Sequence, residues 1–299
     1  MKNDERYSRL GRWAVILAGG DGTRLLPVTR KIAGDDWPRQ FCTVGNETPL
    51  RQTQRRISPL IDWHRTLLSL TKTHERFYDD HIDGTPASRL LIQPCNKGTA
   101  PAMVHALTNI GEMDPDGLVV FFPADHYFSD DVAFISHIDS ADTAAASQPE
   151  KVVLPGIPPE TPEAEYGWIE PGIGPGNSGR NSVVPVSRFR EKPNRSLAAD
   201  LMKLGSLWNS FVMVGQVYAF LNMIRRTLPG LANAFESIRP SLSTGLATNS
   251  MDDLYSGIHS ASFSQHATLA SRAESPLCSN VKEAQRNVER ELMSRIAAG

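Results

Sequence analysis

The segment LAGGDGTRLLP, residues 17–27 of this 299-residue chain, has the composition of a phosphate-binding turn. Gly19, Gly20 and Gly22 let the backbone approach a ligand closely and expose N–H groups to phosphate oxygens. Arg24 adds a guanidinium that can span two such oxygens and stabilise charge on a departing pyrophosphate. A plain glycine-rich turn with a solvated arginine is the alternative. The segment has neither the GK[ST] ending of a P-loop nor the GxGxxG spacing of a dinucleotide fold.

A second segment, VVFFPADHYF at residues 119–128, places two polar side chains after an apolar run. Asp125 could hold Mg²⁺, which needs only one or two carboxylates when phosphate oxygens and water complete its ligands. A turn-capping role explains Asp125 about as well. His126 is either an orienting hydrogen-bond partner beside the metal or a structural histidine.

The third segment, QPCNKGTAPAMVHAL at residues 93–107, leads into a helix-like run. A nucleobase edge could lie against the backbone at Gly98 and Thr99, with Gln93 donating or accepting hydrogen bonds. Thr99 could instead cap the helix. Both interpretations remain open from these residues alone.

Three later segments join aromatic side chains to polar groups: YGWIEP at 166–171, FREKP at 189–193 and LWNSFVMVG at 207–215. Glu191 and Asn209 suit sugar hydroxyls, and Lys192 suits a sugar phosphate. Ordinary strand ends with solvated charges are the alternative.

The elements that must position these segments follow an α/β rhythm. Short apolar runs occur at Trp13 to Ala18, Thr66 to Leu70, Leu90 to Ile92 and Leu118 to Phe122, separated by polar or helix-like stretches. This spacing predicts a largely parallel sheet whose ligands lie beyond the carboxyl ends of the strands. The glycine turn and the segments at 93–107 and 119–128 should therefore share one rim.

The rest of the chain predicts one domain, 1–299, in three parts. Residues 13–150 form the nucleotide-binding part, and residues 151–240 form the sugar-phosphate part with a loop-rich lobe between Pro155 and Asn181. Residues 241–299 form a divergent helical segment. Its amphipathic helix is predicted from apolar residues at three- and four-residue intervals, namely Val281, Ala284, Val288, Leu292 and Ile296.

Composition excludes several classes of protein. A formal charge of -2 with 21% charged residues gives no electrostatic preference for nucleic acid. Apolar runs are far shorter than the roughly 20 residues of a membrane span, and the N-terminus lacks a signal-peptide pattern. We therefore expect a cytoplasmic protein with no membrane partner. Cys42, Cys95 and Cys278 are far apart in sequence and are expected to be reduced.

Taken in order, seven motifs resemble the bacterial mannose-1-phosphate guanylyltransferases of the sugar nucleotidyltransferase family: LAGGDGTRLLP, PRQF, QPCNKGTAPA, PADH, YGWIEP, FREKP and WNSFVMVG. The resemblance covers roughly Trp13 to Pro240. It implies an α/β/α sandwich with a mostly parallel mixed sheet, the nucleotide-diphospho-sugar transferase (glycosyltransferase-A) fold. It further implies transfer of GMP from GTP to mannose 1-phosphate, with Mg²⁺ as cofactor, to give GDP-mannose and pyrophosphate.

The resemblance also assigns roles to individual residues. The nucleotide would be held by Leu17, Ala18, Gly19, Gly20, Gly22, Thr23 and Arg24, with Gln93, Gly98 and Thr99 facing the base. The sugar phosphate would be bound by Gly167, Glu191, Lys192 and Asn209. Asp125 would bind Mg²⁺, and catalysis would depend on Arg24, Arg39, Asp125 and Lys192, which align the phosphates and neutralise their charge. A homodimer is left open.

Two regions depart from the family pattern. Arg39 stands in PRQF where the family usually has lysine, and no aspartate or tryptophan follows Tyr255, although the family commonly places an aspartate and a Trp-x-Asp segment there. If the site has adapted to the longer, forked guanidinium, Arg39→Lys should lower activity; if it has not, the change should raise activity. The missing C-terminal residues favour the second outcome.

Three other functions are compatible with these residues. The first is a nucleotide-sugar-binding homologue with impaired catalysis, which the altered C-terminus favours and the joint presence of Arg24, Asp125 and Lys192 opposes. The second is a nucleotidyltransferase that uses UTP, dTTP or ATP with another hexose 1-phosphate. The third is a glycosyltransferase, which these residues disfavour because it would normally show Asp-x-Asp at the strand end, where this chain has Ala124, Asp125 and His126.

Overall fold

A computed structural model of the protein describes residues 11–82, 84–173, 183–242, 247–263, 277–280 and 285–286. Its strands in chain order are β1 (Arg12–Leu17), β2 (Thr66–Thr71), β3 (Leu90–Gln93), β4 (Leu118–Pro123), β5 (Tyr127–Phe128), β6 (Val153–Ile157), β7 (Gly167–Pro171), β8 (Val183–Glu191), β9 (Leu207–Asn209), β10 (Met213–Gln216), β11 (Leu277–Asn280) and β12 (Gln285–Arg286). The four strands that the apolar runs predict are all present, with ends that differ from the prediction by one residue.

Helices fill most of the connections between these strands. They are α1 (Leu26–Ala33), α2 (Pro49–Ile57), α3 (Glu75–Ile82), α4 (Thr99–Met113), α5 (Asp131–Ser147), α6 (Arg195–Lys203), α7 (Val217–Thr227), α8 (Pro229–Leu242) and α9 (Ala247–Gly257). A search of the described residues finds no helix with the length and hydropathy to cross a membrane.

The strands other than β5 and β12 form a single ten-stranded sheet in the order β11-β8-β7-β9-β6-β10-β4-β1-β2-β3. Strand β1 pairs in parallel with β2 and β4, and β2 pairs in parallel with β3. In this half Leu17, Thr71 and Pro123 end neighbouring strands at one edge. The other half is joined through antiparallel pairs such as β10 with β4 and β7 with β8. The prediction of an α/β sandwich around a mixed sheet is confirmed.

Side chains along β1 show how the layers pack. Trp13 and Val15 belong to a core with the inward faces of α4, α7, α8 and α9, whereas Ala14 and Ile16 belong to a second core with α2, α3 and α5. This alternation is the period of a strand buried on both faces. The continuous apolar run that marks β1 in the sequence therefore produces a three-layer sandwich.

The lobe predicted between Pro155 and Asn181 is built on the same sheet. Strand β7 pairs with β8, Gly167 opposite Glu191, and with β9, Trp168 opposite Trp208. Two segments with aromatic and polar residues thus become neighbouring strands.

The C-terminal region departs from the helical prediction. Helix α9 agrees with it, but Leu277–Asn280 form β11, which pairs in parallel with β6 and antiparallel with β8. Gln285–Arg286 form β12 opposite β5, so the predicted helix is wrong at these two residues. Its apolar positions, Val281, Ala284, Val288, Leu292 and Ile296, lie outside the described residues. The spacing of apolar residues gives no information on strand pairing, because the backbone hydrogen bonds of a strand are made with residues that lie far away in sequence.

Candidate active site

A cleft of about 460 Å³ opens at the carboxyl ends of β1 and β4. Predicted site residues line it from several sides: Leu17, Gly19, Gly20, Gly22, Thr23, Arg39, Gln93, Gly98, Thr99, Asp125 and Lys192. These residues come from the three segments that the sequence places on one rim and from two others, PRQF and FREKP. The rim prediction is confirmed because parallel strands end at the same edge of a sheet.

The glycine turn is held from beneath by hydrogen bonds to its carbonyl groups. The Gln40 side chain donates to the carbonyls of Ala18 and Gly20 at 2.8 and 2.7 Å, and the Thr71 hydroxyl donates to the carbonyl of Gly19 at 2.8 Å. Because these three hydrogen bonds hold the carbonyl groups of the turn, its conformation is fixed before any ligand binds. Such preorganised backbone is suited to phosphate oxygens.

Two of the glycines are required by the local geometry. Gly22 has a φ of 58°, a left-handed conformation that disfavours other residues. A Cβ on Gly19 would lie 2.6 Å from the Thr71 hydroxyl and 3.0 Å from the Gln93 side-chain nitrogen. The turn therefore tolerates no side chain at either position without distortion.

Asp21, between these glycines, ties the turn to two other segments. Its carboxylate accepts hydrogen bonds from His74 Nε2 at 3.1 Å and from Asn96 Nδ2 at 2.9 Å, and Asn96 Oδ1 accepts from Gly98 N at 2.9 Å. Burial lowers the pKa of His74 although Asp21 opposes the shift. The sequence alone gave no signal for this network, since Asp21, His74 and Asn96 lie far apart along the chain.

Asp125 forms an ion pair with the Arg39 guanidinium, through Arg39 Nε and Asp125 Oδ2. Both side chains are largely buried at the cleft, 18% exposed for Asp125 and 19% for Arg39. Burial raises the pKa of Asp125, but Arg39, together with His126, lowers it further than burial raises it, so the net pKa lies below its usual value. Asp125 is therefore ionised at neutral pH and charged at the rim of the cleft.

His126 lines the same cleft beside Asp125. Its Nδ1 lies 3.2 Å from the carbonyl oxygen of Ser210, and its ring packs edge-on against Phe211 with centroids 5.3 Å apart. A carbonyl only accepts, so Nδ1 carries the proton and Nε2, 3.8 Å from Asp125 Oδ1, is directed towards the carboxylate. Burial lowers the pKa of His126 to about 4, so the ring is neutral.

Residues at the predicted base-binding end are already engaged with the protein. The Gln93 amide donates to Ser69 Oγ at 3.0 Å and accepts from the Tyr255 hydroxyl at 3.0 Å. Helix α4 begins at Thr99 after Gly98, and the Thr99 hydroxyl accepts from Phe263 N at 2.8 Å. The alternative in which Thr99 caps α4 is therefore wrong, since the Ncap position is Gly98.

The predicted sugar-phosphate residues divide into two groups. Lys192 lines the cleft and has a strained backbone, with a φ of 43°. Glu191 lies behind it: its Oε2 is buried and has no hydrogen-bond partner among the described residues. Burial raises the pKa of Glu191, and Lys192 opposes the shift. A buried acceptor of this kind is suited to a ligand hydroxyl.

Gly167 and Asn209 serve the surrounding structure in the absence of ligand. A Cβ on Gly167 would lie 2.6 Å from the Phe189 ring, so glycine is required there by packing. The Asn209 side chain is 5% exposed and accepts from Phe211 N at 3.1 Å, which supports the turn that presents the Phe211 ring to the cleft.

Two other predicted residues differ in how the structure places them. Ala18 is buried beneath the turn, 1% exposed, and contributes through its backbone. Arg24 lies in a short helical turn, Thr23–Leu25, and its side chain lies outside the described residues. Cleft residues that the sequence did not single out are Leu25, Gln40, Ser69, Asn96, Ala102, Pro123, Glu165, Tyr166, Phe211 and Met213.

Asp125 is the side chain at which a divalent cation could bind. Among the described residues no group of three or more His, Cys, Asp or Glu side chains converges on a point. A metal here would need phosphate oxygens and water for most of its ligands, which is how Mg²⁺ is commonly bound beside nucleotides. An ionised carboxylate at the rim of the cleft fits that requirement.

Residues 13–238 match the protein family described as Nucleotidyl transferase. The chain belongs to this family. The match includes every residue that we placed at the site, from Leu17 to Asn209, and ends before the C-terminal strands.

Curated relatives are about a third identical to this chain over the residues that align with it. The xanthan biosynthesis protein XanB of Xanthomonas campestris is 32% identical over 224 residues, covering 74% of this chain and 45% of that protein. Mannose-1-phosphate guanylyltransferase 2 of Escherichia coli O157:H7 is 32% identical over 242 residues, covering 76% and 48%. The chain spans less than half the length of these relatives. The resemblance drawn from the seven motifs is confirmed.

Solved structures extend the similarity to nearly the whole chain. A Thermus thermophilus structure described as mannose-1-phosphate geranyltransferase is 28% identical with a TM-score of 0.78, covering 93% of this chain and 76% of that one. A UDP-glucose pyrophosphorylase in complex with UDP-glucose is 12% identical with a TM-score of 0.58, covering 97% and 98%. The second comparison shows the shared nucleotidyltransferase fold.

Proposed function

We propose that this protein transfers GMP from GTP to mannose 1-phosphate, releasing pyrophosphate and forming GDP-mannose. The observation that carries the proposal is the convergence of the glycine turn, the Arg39–Asp125 pair and Lys192 on one cleft. Relatives named mannose-1-phosphate guanylyltransferase support the choice of substrates.

The arrangement suits in-line displacement at a phosphorus atom. The N–H groups of the turn at Gly19 to Gly22 would bind the triphosphate. The carbonyl groups of the same turn already accept hydrogen bonds from Gln40 and Thr71. Lys192 would bring the sugar phosphate to the opposite side of the α-phosphate. Aligning two anions in this way supplies much of the rate acceleration, and needs no covalent intermediate.

Charge that builds up on the departing pyrophosphate would be stabilised by arginine. Arg24 follows the turn, and Arg39 lies at its edge: a Cβ on Gly22 would be 3.4 Å from Arg39 N. The Arg39 guanidinium bonds Asp125 through Nε, which leaves its terminal nitrogens able to bond phosphate oxygens. Such groups act most strongly in a partly water-excluded site.

Asp125 would hold Mg²⁺ together with the phosphates. The ion would supply neutralisation of phosphate charge and orientation of the triphosphate. Arg39 lowers the pKa of Asp125, so the carboxylate would be ionised when it meets the ion, while burial keeps the neighbouring His126 neutral.

The test is a matrix of nucleotides and sugars. Purified protein is incubated with GTP, UTP, dTTP or ATP, each with mannose 1-phosphate or glucose 1-phosphate and Mg²⁺, and pyrophosphate release is measured. We expect the highest kcat/KM with GTP and mannose 1-phosphate, and loss of turnover when EDTA is added. Preference for UTP with glucose 1-phosphate would contradict the substrate assignment, and undiminished turnover without a divalent cation would contradict the role of Asp125.

A further inference from the structure

A C-terminal segment, residues 255–263, lies against the loop that the sequence analysis assigned to the nucleobase. Ala261 N donates to the carbonyl of Lys97 at 2.8 Å, and the Ala261 carbonyl accepts from Ala100 N at 3.1 Å. Phe263 N donates to Thr99 Oγ1 at 2.8 Å. Three hydrogen bonds therefore join this segment to the start of α4, although more than 150 residues separate the two in sequence.

These contacts leave no room for a side chain at Gly98. Gly98 has a φ of 90°, and a Cβ there would lie 2.4 Å from the Ala261 carbonyl oxygen. Ala100 N bonds Ala261, and Pro101 has no N–H, so the first turn of α4 has few donors left for a phosphate. The geometry suits a base edge at this end of the cleft better than a charged group.

Tyr255, at the start of the segment, makes a buried hydrogen bond with Gln93. The two side chains are 1% and 2% exposed, and the Tyr255 hydroxyl donates to Gln93 Oε1 at 3.0 Å. On the other side, Gln93 Nε2 donates to Ser69 Oγ at 3.0 Å and the Leu70 carbonyl at 3.4 Å. Because the Leu70 carbonyl only accepts, the amide has one orientation, with its oxygen towards Tyr255.

The fixed amide in turn supports the glycine turn. A Cβ on Gly19 would lie 3.0 Å from Gln93 Nε2, which shows how closely the amide packs beneath the backbone that would bind the triphosphate. Through the Gln93 side chain, Tyr255 therefore connects the C-terminal segment to the proposed base end and the proposed triphosphate end of the cleft.

We propose that residues 255–263 support one wall of the nucleotide-binding cleft by packing against the loop that lines it, and that Tyr255 is a positioning residue that acts through Gln93 on the Gly19 backbone. This rests on the proposed function as far as the cleft binds a nucleoside triphosphate, and is independent of which base it prefers. The region in which the family's C-terminal aspartate and tryptophan are missing thus contributes to the site by hydrogen bonds and packing.

The first experiment replaces Tyr255 with phenylalanine. We expect the dissociation constant and KM for the nucleoside triphosphate to rise about tenfold, with kcat changed less than twofold, because the loss concerns binding geometry and one net hydrogen bond. Tyr78→Phe is the matched control: Tyr78 is 1% exposed, and its hydroxyl has no partner in the described part of the chain, so nucleotide binding should not change. Circular dichroism confirms folding of each variant.

A second pair of variants tests the wall itself. Gly98→Ala introduces both backbone strain and a clash with Ala261, whereas Gly34→Ala introduces comparable strain at a φ of 77° with nothing within 4 Å. We expect both changes to lower thermal stability, but only Gly98→Ala to weaken nucleotide binding.

Two readouts separate this inference from the substrate assignment. Binding is measured by calorimetry with GTP, UTP, dTTP and ATP, and amide hydrogen exchange of residues 93–100 is measured without nucleotide. Weaker binding of whichever nucleotide the wild type takes, with faster exchange in Tyr255→Phe, supports the inference even if that nucleotide is not GTP. Unchanged affinity, unchanged exchange, or a wild type that binds no nucleotide would overturn it.

Discussion

The two sides of the cleft differ in how fully the protein satisfies its own polar groups. On the triphosphate side the carbonyls of Ala18, Gly19 and Gly20 each accept a side-chain hydrogen bond from Gln40 or Thr71. Next to Lys192, on the proposed sugar-phosphate side, the described structure leaves the buried Glu191 Oε2 without a hydrogen-bond partner.

This difference indicates two ways of preparing a site for a ligand. On the proposed triphosphate side the carbonyl groups of the turn already have hydrogen-bond donors, so binding would require little rearrangement there. On the proposed sugar-phosphate side a buried carboxylate oxygen has no hydrogen-bond partner. This lowers the stability of the free protein, and the lost free energy would be recovered when a ligand donates the missing hydrogen bond. Substitutions on the two sides should therefore have opposite effects on the free protein.

The largest effect is expected where both substrates meet. Asp125→Asn and Arg24→Ala should each lower kcat by about a hundredfold or more, because both groups act on charge that develops during transfer. Steady-state kinetics with confirmed folding measures the effect, and Asp139→Asn, an exposed carboxylate paired with Arg12, is the control. Wild-type turnover in either variant would show that the reacting phosphates lie elsewhere.

The triphosphate side is tested by Gln40→Ala, which removes two donors beneath the turn. Its hydrogen bonds each contribute about 1 kcal/mol, and the exposed carbonyl groups add to the loss, so KM for the nucleotide should rise by about 10-fold to 100-fold. The free energy of unfolding should fall by about 2 kcal/mol. Gln40→Glu keeps the shape but not the donors and should be at least as harmful. A wild-type KM in Gln40→Ala would mean that the turn needs no support.

The sequence and the structure lead to opposite expectations for the activity of Arg39→Lys. The missing C-terminal residues favour higher activity in Arg39→Lys, but the observed contact of the guanidinium with Asp125 favours the opposite. A lysine has one compact ammonium in place of a fork that can bond carboxylate and phosphate together. We predict about a tenfold fall in kcat/KM, about 1.4 kcal/mol of transition-state stabilisation. The measurement is kcat/KM of wild type and variant at saturating Mg²⁺. Equal or higher activity in the lysine variant would show that a compact positive charge is enough at this position.

The smallest effect is expected on the sugar-phosphate side, where Glu191→Gln should stabilise the free protein. Burial raises the pKa of Glu191, so the folded state holds its proton more tightly than the unfolded chain does. This contribution to stability is present below the ordinary carboxyl pKa and is lost as the pH rises through the raised value. At neutral pH the variant should therefore have a free energy of unfolding about 1 kcal/mol higher than wild type and unfold at a higher temperature, with less difference in acid.

The control for this prediction is Glu170→Gln. Glu170 is bonded to Arg190 at 2.8 Å and partly exposed, so its removal should not stabilise the protein. Thermal unfolding followed between about pH 4 and pH 8 measures both variants, and kinetics should show a severalfold higher KM for the sugar phosphate in Glu191→Gln only. A Glu191 variant that is less stable than wild type at neutral pH would mean that the carboxylate is already satisfied.

How well the sequence predicted a feature depended on how far apart along the chain its interacting residues lie. The apolar run of β1 and the glycines after it predicted a strand and a turn, because both depend on residues adjacent in sequence. The Arg39–Asp125 pair joins residues 86 positions apart, and no local pattern indicates it. The C-terminal helix prediction failed at Gln285–Arg286 for the same reason, since pairing with β5 depends on where β5 lies.

Sequence by itself determined the alternation of strands and helices, the glycine turn from Gly19 to Gly22 and the resemblance to a family of nucleotidyltransferases. Those features depend on backbone propensity, apolar periodicity and ordered motifs. Tertiary structure alone decided that Gln40 supports the turn, that Glu191 Oε2 is left without a partner, and that Tyr255 fixes Gln93 across 162 positions. Each of these depends on which strands and helices become neighbours, and sheet order sets that only when the whole chain has packed.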